Sequence, residues 1–178
     1  MEKNLKTRKI ERIPHKVLYK QPNYSTGIVS GFDNPIGLKC VFYELENGDL
    51  ATKFELNQWH EGHKGIGHGG MCYAVADELM GRTNRAYDER HGMGYTAVMT
   101  GEITCRYINP APLSETLYAY GRVERVEGRK RFTSCEVVKE DGTVIINAEG
   151  IFIQVPELSA SDHKQMDFEL SEDDPTEL

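Results

Sequence analysis

No stretch of this 178-residue chain approaches the ~20 apolar residues that a membrane-spanning helix needs. The opening residues, MEKNLKTRKIERIPHK, lack the apolar core of a secretory signal, so the cytoplasm is the expected compartment and a membrane is not an expected partner. The four cysteines, Cys40, Cys72, Cys105 and Cys135, never fall as C-x-x-C. That argues against a zinc ribbon or a disulfide framework and for reduced, packed thiols. Internal repeats are missing. So is the basic face that a nucleic-acid partner requires, since the net charge is -7. Positive charge gathers only in residues 1–24, with seven Lys/Arg against two Glu. Residues 157–178 hold eight acids and one lysine, and too few apolar residues to fold alone.

What remains is ordinary for one globular domain: 39% hydrophobic and 28% charged residues. The chain divides into a charged, solvated N-terminal arm over 1–24, a single domain over 25–156 and an acidic tail over 157–178. Strand-like runs LKCVFYELE (38–46) and LATKFELN (50–57) flank Asn47-Gly48-Asp49, which predicts a type I′ hairpin turn. A glycine-rich loop, HEGHKGIGHGG, leads into a helix expected over about 69–86. On that helix Cys72, Val75, Ala76, Leu79 and Met80 recur at i, i+3, i+4, i+7 and i+8, one apolar stripe. Four further strands are expected over 95–108, 115–127, 130–140 and 143–155, the last three joined by turns at Glu127-Gly128 and Asp141-Gly142. Consecutive hairpins imply an antiparallel sheet. The fold class is therefore α+β, with one long central helix wrapped by a curved antiparallel sheet.

The helix opens on Gly69-Gly70, both poor helix formers. Unpaired amides and the positive dipole end make such a terminus an anion or oxyanion site, and glycine lets a carbonyl approach closely. A tight loop-to-helix turn is the plain alternative. His68 is placed to cap the helix or position the loop. The spacing of His60, His63 and His68 matches no common zinc signature, so no metal is expected. Cys72 lies four residues after His68, but on the apolar stripe, where a packed thiol is the ordinary outcome.

Asp77 sits in the C-terminal half of the helix, where the dipole disfavours a negative charge and Asp is a poor helix former. Its flank also carries Tyr73, which suits a pocket or the core. Glu78 has a structural explanation in i,i+4 pairing with Arg82, yet its adjacency keeps it a candidate. Seven residues separate Gly70 from Asp77, about 10 Å along one helix. Each must come within about 3 Å of a reacting group, so a site using both is best built across a two-fold dimer.

GHGGMCYAVADELMG resembles the hotdog-fold acyl-CoA thioesterases of the phenylacetate-pathway type, whose signature sets an Asp nine positions after the His of His-Gly-Gly. FDNPIGLKCVFYE, EGHKGIGHGG, RYINPAPL and EGRKRF resemble one subgroup of that family. The resemblance implies a hotdog fold and a homodimer or dimer of dimers with sites at the dimer interface. It implies that the Gly70 N–H polarises the thioester carbonyl and that Asp77 of the partner chain is nucleophile or general base. Thr100 falls where related enzymes carry a Ser or Thr that positions water or the acid. Where some relatives have Asn, six residues before the His, this chain has Gly62. An acyl-CoA is the implied small-molecule substrate, with no cofactor beyond the coenzyme A it carries. Its nucleotide needs cations, for which Arg129, Lys130 and Arg131 are candidates. Two other functions fit the same fold: a non-catalytic acyl-CoA sensor and a dehydratase of 3-hydroxyacyl thioesters.

Overall fold

A computed structural model describes residues 8–23, 25–94, 97–155 and 170–178. In chain order it holds β1 (Val17–Lys20), β2 (Tyr43–Leu45), β3 (Leu50–Glu55), β4 (Glu61–His63), β5 (Ile66–Gly67), α1 (Gly69–Arg90), β6 (Val98–Tyr107), β7 (Thr116–Glu127), β8 (Lys130–Lys139) and β9 (Val144–Gln154). Seven strands form one antiparallel sheet in the order β1-β2-β3-β7-β8-β9-β6, and β4 pairs with β5 alone. The long helix packs across β3, β7, β8, β9 and β6. Among the described residues no helix is long and apolar enough to cross a membrane.

Every residue of the expected apolar stripe, from Cys72 to Met80, is fully buried. It faces Phe42, Leu50, Phe54, Leu117, Ala119, Val137, Ile146 and Phe152 from the sheet. Burying one such side chain contributes about 1.5–3 kcal/mol relative to leaving it exposed, so this face holds the helix in place. The helix lies close against Gly121 of β7, where a Cβ would stand 2.9 Å from Thr83 Oγ1 and 3.2 Å from Leu79 Cγ.

α1 runs one turn beyond the expected end. Gly92 adopts φ +65, its N–H donates to Glu89 O at 3.2 Å, and the Met93 N–H donates to Asp88 O at 3.0 Å. That is a Schellman stop, which wants glycine in the left-handed position. The first hairpin differs too. Lys39 at φ +54 interrupts the expected strand over 38–46, leaving only three residues in β2. Its turn is not type I′: only Gly48 has positive φ, while Asn47 Oδ1 accepts from the Asp49 N–H at 3.0 Å. The result is a three-residue loop with glycine in its left-handed position, a pattern repeated at Gly142.

The described part of the basic arm, residues 8–23, is docked on the domain, although Arg8, Lys9 and Lys16 stay exposed. Its Val17–Lys20 segment adds β1 to the sheet, Lys9 bridges Thr143, and the Arg12 guanidinium lies 3.6 Å over the Tyr118 ring. Leu178 and His15 exchange two backbone hydrogen bonds of 2.9 and 3.1 Å. A second small core of Val17, Tyr43, Leu45, Ala51 and Leu178 results. It lies on the sheet face away from α1, because Ala51 and its partner Tyr120 alternate with the helix-facing Leu50 and Ala119. The described residues of both terminal segments take their backbone partners from the sheet and from each other.

Candidate active site at the helix start and the open sheet edge

The loop into α1 is held on both sides. The Gly67 N–H donates to Ala111 O at 2.9 Å and the His68 N–H to His60 O at 2.7 Å. A Cβ on Gly67 would run into Leu56 Cδ1. His60 itself is buried and occupied: its Nδ1 accepts from the Asn57 N–H at 3.1 Å, and its Nε2 lies 3.0 Å from Ile36 O. His68 then acts as the N-cap, with Nδ1 accepting from the Gly70 N–H at 2.9 Å. Its carbonyl accepts from the Met71 N–H at 2.9 Å.

The Gly70 N–H is taken by the imidazole that caps its own helix. The Gly69 N–H, one residue earlier, meets no acceptor among the described residues. Both glycines also have steric reasons. A Cβ on Gly70 would stand 2.9 Å from His68 Nδ1, and a Cβ on Gly69 would stand 2.7 Å from Tyr107 Cε1. Gly62, where some relatives carry Asn, packs against His68 so closely that a Cβ would lie 3.0 Å from the His68 Cα.

Asp77 lies half-buried two turns down α1. Thr100 Oγ1, on β6, donates to Asp77 Oδ1 at 2.8 Å. Thr100 directly precedes a bulge in the β6–β9 ladder, a feature that re-aims side chains. Thr100 stands on the outermost strand, whose other edge pairs with no strand among the described residues. Asp77 Oδ2 accepts no bond among the described residues. Glu78 is engaged elsewhere: Oε1 accepts from Arg82 Nε at 2.9 Å, and Arg82 ties onward to Pro22 O at 2.6 Å and Ser30 Oγ at 3.1 Å. Glu78 thus fastens the helix to the loop after β1, and Asp77 is the carboxylate facing the site. Tyr73, half-buried, lies on the same flank between the helix start and Asp77. Along the axis Gly69 and Asp77 are about 12 Å apart, too far to meet at one reacting carbon within a single chain.

Of the three basic turn residues, Arg129 and Lys130 are exposed and line an open cleft of about 470 Å³ with Glu127 and Ile153. Arg131 does not belong with them. Its side chain is 3% exposed and forms an ion pair of 3.1 Å with Asp88, itself 0% exposed. The guanidinium also donates to Gly128 O at 3.0 Å. Cys72 is fully buried, and that burial, with Cys105 beside it, pushes its thiol up to about 12 and disfavours the thiolate. Sequence reasoning passed over Tyr107 as a site residue, although an aromatic ending a strand just before Asn109-Pro110 was there to be read.

A long helix across an antiparallel sheet, a His-capped Gly-Gly start and a mid-helix acid at the sheet edge define a hotdog domain of the thioesterase type. Residues 64–146 match the model of the Thioesterase superfamily. The chain is 31% identical over 119 residues to the acyl-coenzyme A thioesterase THEM4 of Xenopus laevis, covering 65% of this chain and 50% of the relative. It thus spans about half the length of the curated relatives it matches. A thioesterase superfamily protein of known crystal structure is 30% identical, with a TM-score of 0.63 over 71% of this chain and 59% of the other. The PaaI protein from the phenylacetic acid degradation operon of E. coli shares the fold at 15% identity, with a TM-score of 0.58 over 66% of this chain and 80% of its own.

Proposed function

We propose that this protein is an acyl-CoA thioesterase, releasing a free acid and coenzyme A at sites shared between two protomers. The observation that carries the reading is the Thr100–Asp77 contact of 2.8 Å, which fixes one carboxylate oxygen and leaves the other open at an unpaired sheet edge. In a two-fold pair joined along the β6 edges, Asp77 of one protomer faces the helix start of its mate. The free Gly69 N–H and the dipole end then stabilise the tetrahedral oxyanion, worth roughly 3–4 kcal/mol per donor. Asp77 Oδ2 delivers the nucleophile, either by direct attack or through a water that it deprotonates. A thiolate with a pKa near ~8.5 leaves without strong acid assistance, so no metal or resident cofactor enters the scheme. Arg129 and Lys130 meet the anionic nucleotide of coenzyme A, and Tyr73 borders the acyl group.

A dehydratase reading is less well supported, because it asks for a His paired with an acid, and His68 Nδ1 already serves Gly70. The test is thiol release from a panel of aromatic, short and long acyl-CoAs by the wild type and Asp77→Ala. Turnover of at least one ester, abolished by the substitution, is expected. Silence across the panel refutes the enzyme, and equal rates refute Asp77. A single turnover in ¹⁸O water that labels Asp77 shows direct attack, through an anhydride that water opens at the aspartyl carbon, because base catalysis puts the label in the free acid alone.

A further inference from the structure

We infer that Tyr107 is the positioning residue of the oxyanion donor: its ring, pressed against the Gly69 Cα, holds that amide in line and is the reason position 69 is glycine. This rests on the thioesterase reading. The three heavy atoms nearest to a built Cβ at Gly69 all belong to Tyr107: Cε1 at 2.7 Å, Cδ1 at 3.3 Å and Cζ at 3.4 Å. Gly69 does not sit in the left-handed region, so its backbone alone does not demand glycine. Tyr107 is not a core residue either, with 59% of it exposed. It ends β6, pairs with Ile146, and leads into the 108–112 segment whose Ala111 carbonyl accepts from the Gly67 N–H. One short stretch thus grips the helix entry through the Gly67 amide and covers the first helical residue through the Tyr107 ring. The Gly70 amide has its own clamp in His68. Among the described residues Gly69 has no hydrogen-bonded clamp, so ring contact is what fixes this amide, the one at the helix start left free there to meet a substrate.

A double-mutant cycle over Gly69→Ala and Tyr107→Ala, with Tyr107→Phe as the conservative control, tests this by kinetics and by melting. Tyr107→Phe keeps the ring and holds kcat within about twofold. Tyr107→Ala lowers kcat about tenfold while KM stays within about threefold, because the donor and not the binding surface is loosened. Gly69→Ala alone drives its Cβ into the ring, costing about a hundredfold in kcat and about 5 °C in Tm. In the Tyr107→Ala background the same change has room, and alanine outranks glycine in a helix. It then leaves Tm unchanged or raises it, and kcat recovers to at least about ten times that of Gly69→Ala alone. Additive effects on kcat and Tm would overturn the inference, as would a tenfold loss in Tyr107→Phe. A wild type that hydrolyses no acyl-CoA overturns the thioesterase reading and the positioning role with it. The melting cycle still judges the ring–glycine contact separately.

Discussion

Replacing Asp88 with alanine removes the carboxylate paired, among the described residues, with a guanidinium that is 3% exposed. Arg131 would keep one acceptor, Gly128 O at 3.0 Å, and its Nε already has no partner. Gln154 Nε2, which donates to Asp88 Oδ2 at 3.1 Å, would lose its acceptor as well. Breaking a buried pair from one side costs about 3–5 kcal/mol, since the surviving charge has neither counter-ion nor water. Against a typical total of about 5–15 kcal/mol this is a third or more of the stability. At roughly 2–4 °C per kcal/mol for a chain of this size, Tm should fall by about 6–20 °C. Urea titration gives the free energy directly, and a constant m-value shows that the same folded state is being compared. Removing both charges, as in Asp88→Leu with Arg131→Met, should return most of the loss, because an apolar pair of similar volume needs no solvation. The double variant should also leave KM for an acyl-CoA unaltered, since Arg131 faces the core and not the basic turn. A cost below about 1 kcal/mol for Asp88→Ala would refute the reasoning, as would a double variant no more stable than the single one.

Glu78→Gln should retain hydrolysis while losing about 1 kcal/mol of stability through its half-buried bridge to Arg82; Asp77→Asn, one residue away, should lose at least about a hundredfold in kcat while Tm hardly moves. Cys72→Ala should leave kcat/KM within about threefold and cost about 1–2 kcal/mol by thermal unfolding, and iodoacetamide should fail to inactivate the wild type, because burial keeps this thiol protonated. The Asp174 carboxyl is buried, which would raise its pKa, but hydrogen bonds from Lys20 at 2.5 Å, from Ser171 and from Tyr43 outweigh that and hold it well below the usual carboxylate range. A depressed folded pKa contributes stability above the unfolded value of about 3.9 and loses it as pH falls further. Limited proteolysis should therefore release the C-terminal segment faster at pH 3 than at pH 6, and Asp174→Asn should flatten that difference.

Much of this was legible in the sequence because it depends on short-range periodicity. The Cys72-to-Met80 stripe found the buried helix face, and Glu127-Gly128 and Asp141-Gly142 found their hairpins. Parity would also have relocated Arg131, which is in phase with Thr133, Cys135 and Val137 on the buried face of β8. Reading Arg129-Lys130-Arg131 as a charge run hid that alternation. His91-Gly92 was an overlooked stop signal for the helix. Other features depend on partners remote along the chain. Val17 and Leu178 are 161 positions apart yet pack together, and nothing local to either predicts it. The availability of Gly69 rather than Gly70 turns on where the His68 ring points, a tertiary detail that the His-Gly-Gly motif leaves open.

The shared site is tested most directly by subunit exchange. Asp77→Ala and Gly69→Ala homodimers, each reduced to about a hundredth of the wild-type rate or less, are mixed one to one, and acyl-CoA hydrolysis is followed as the protomers redistribute. With sites built from the helix start of one protomer and Asp77 of its mate, random pairing makes half of the dimers mixed, each with one intact site, so activity should climb to about a quarter of the wild-type value. If Gly69 and Asp77 of the same chain form the site, no mixture contains an intact one, and activity that stays at the level of the separate variants after complete exchange contradicts the account.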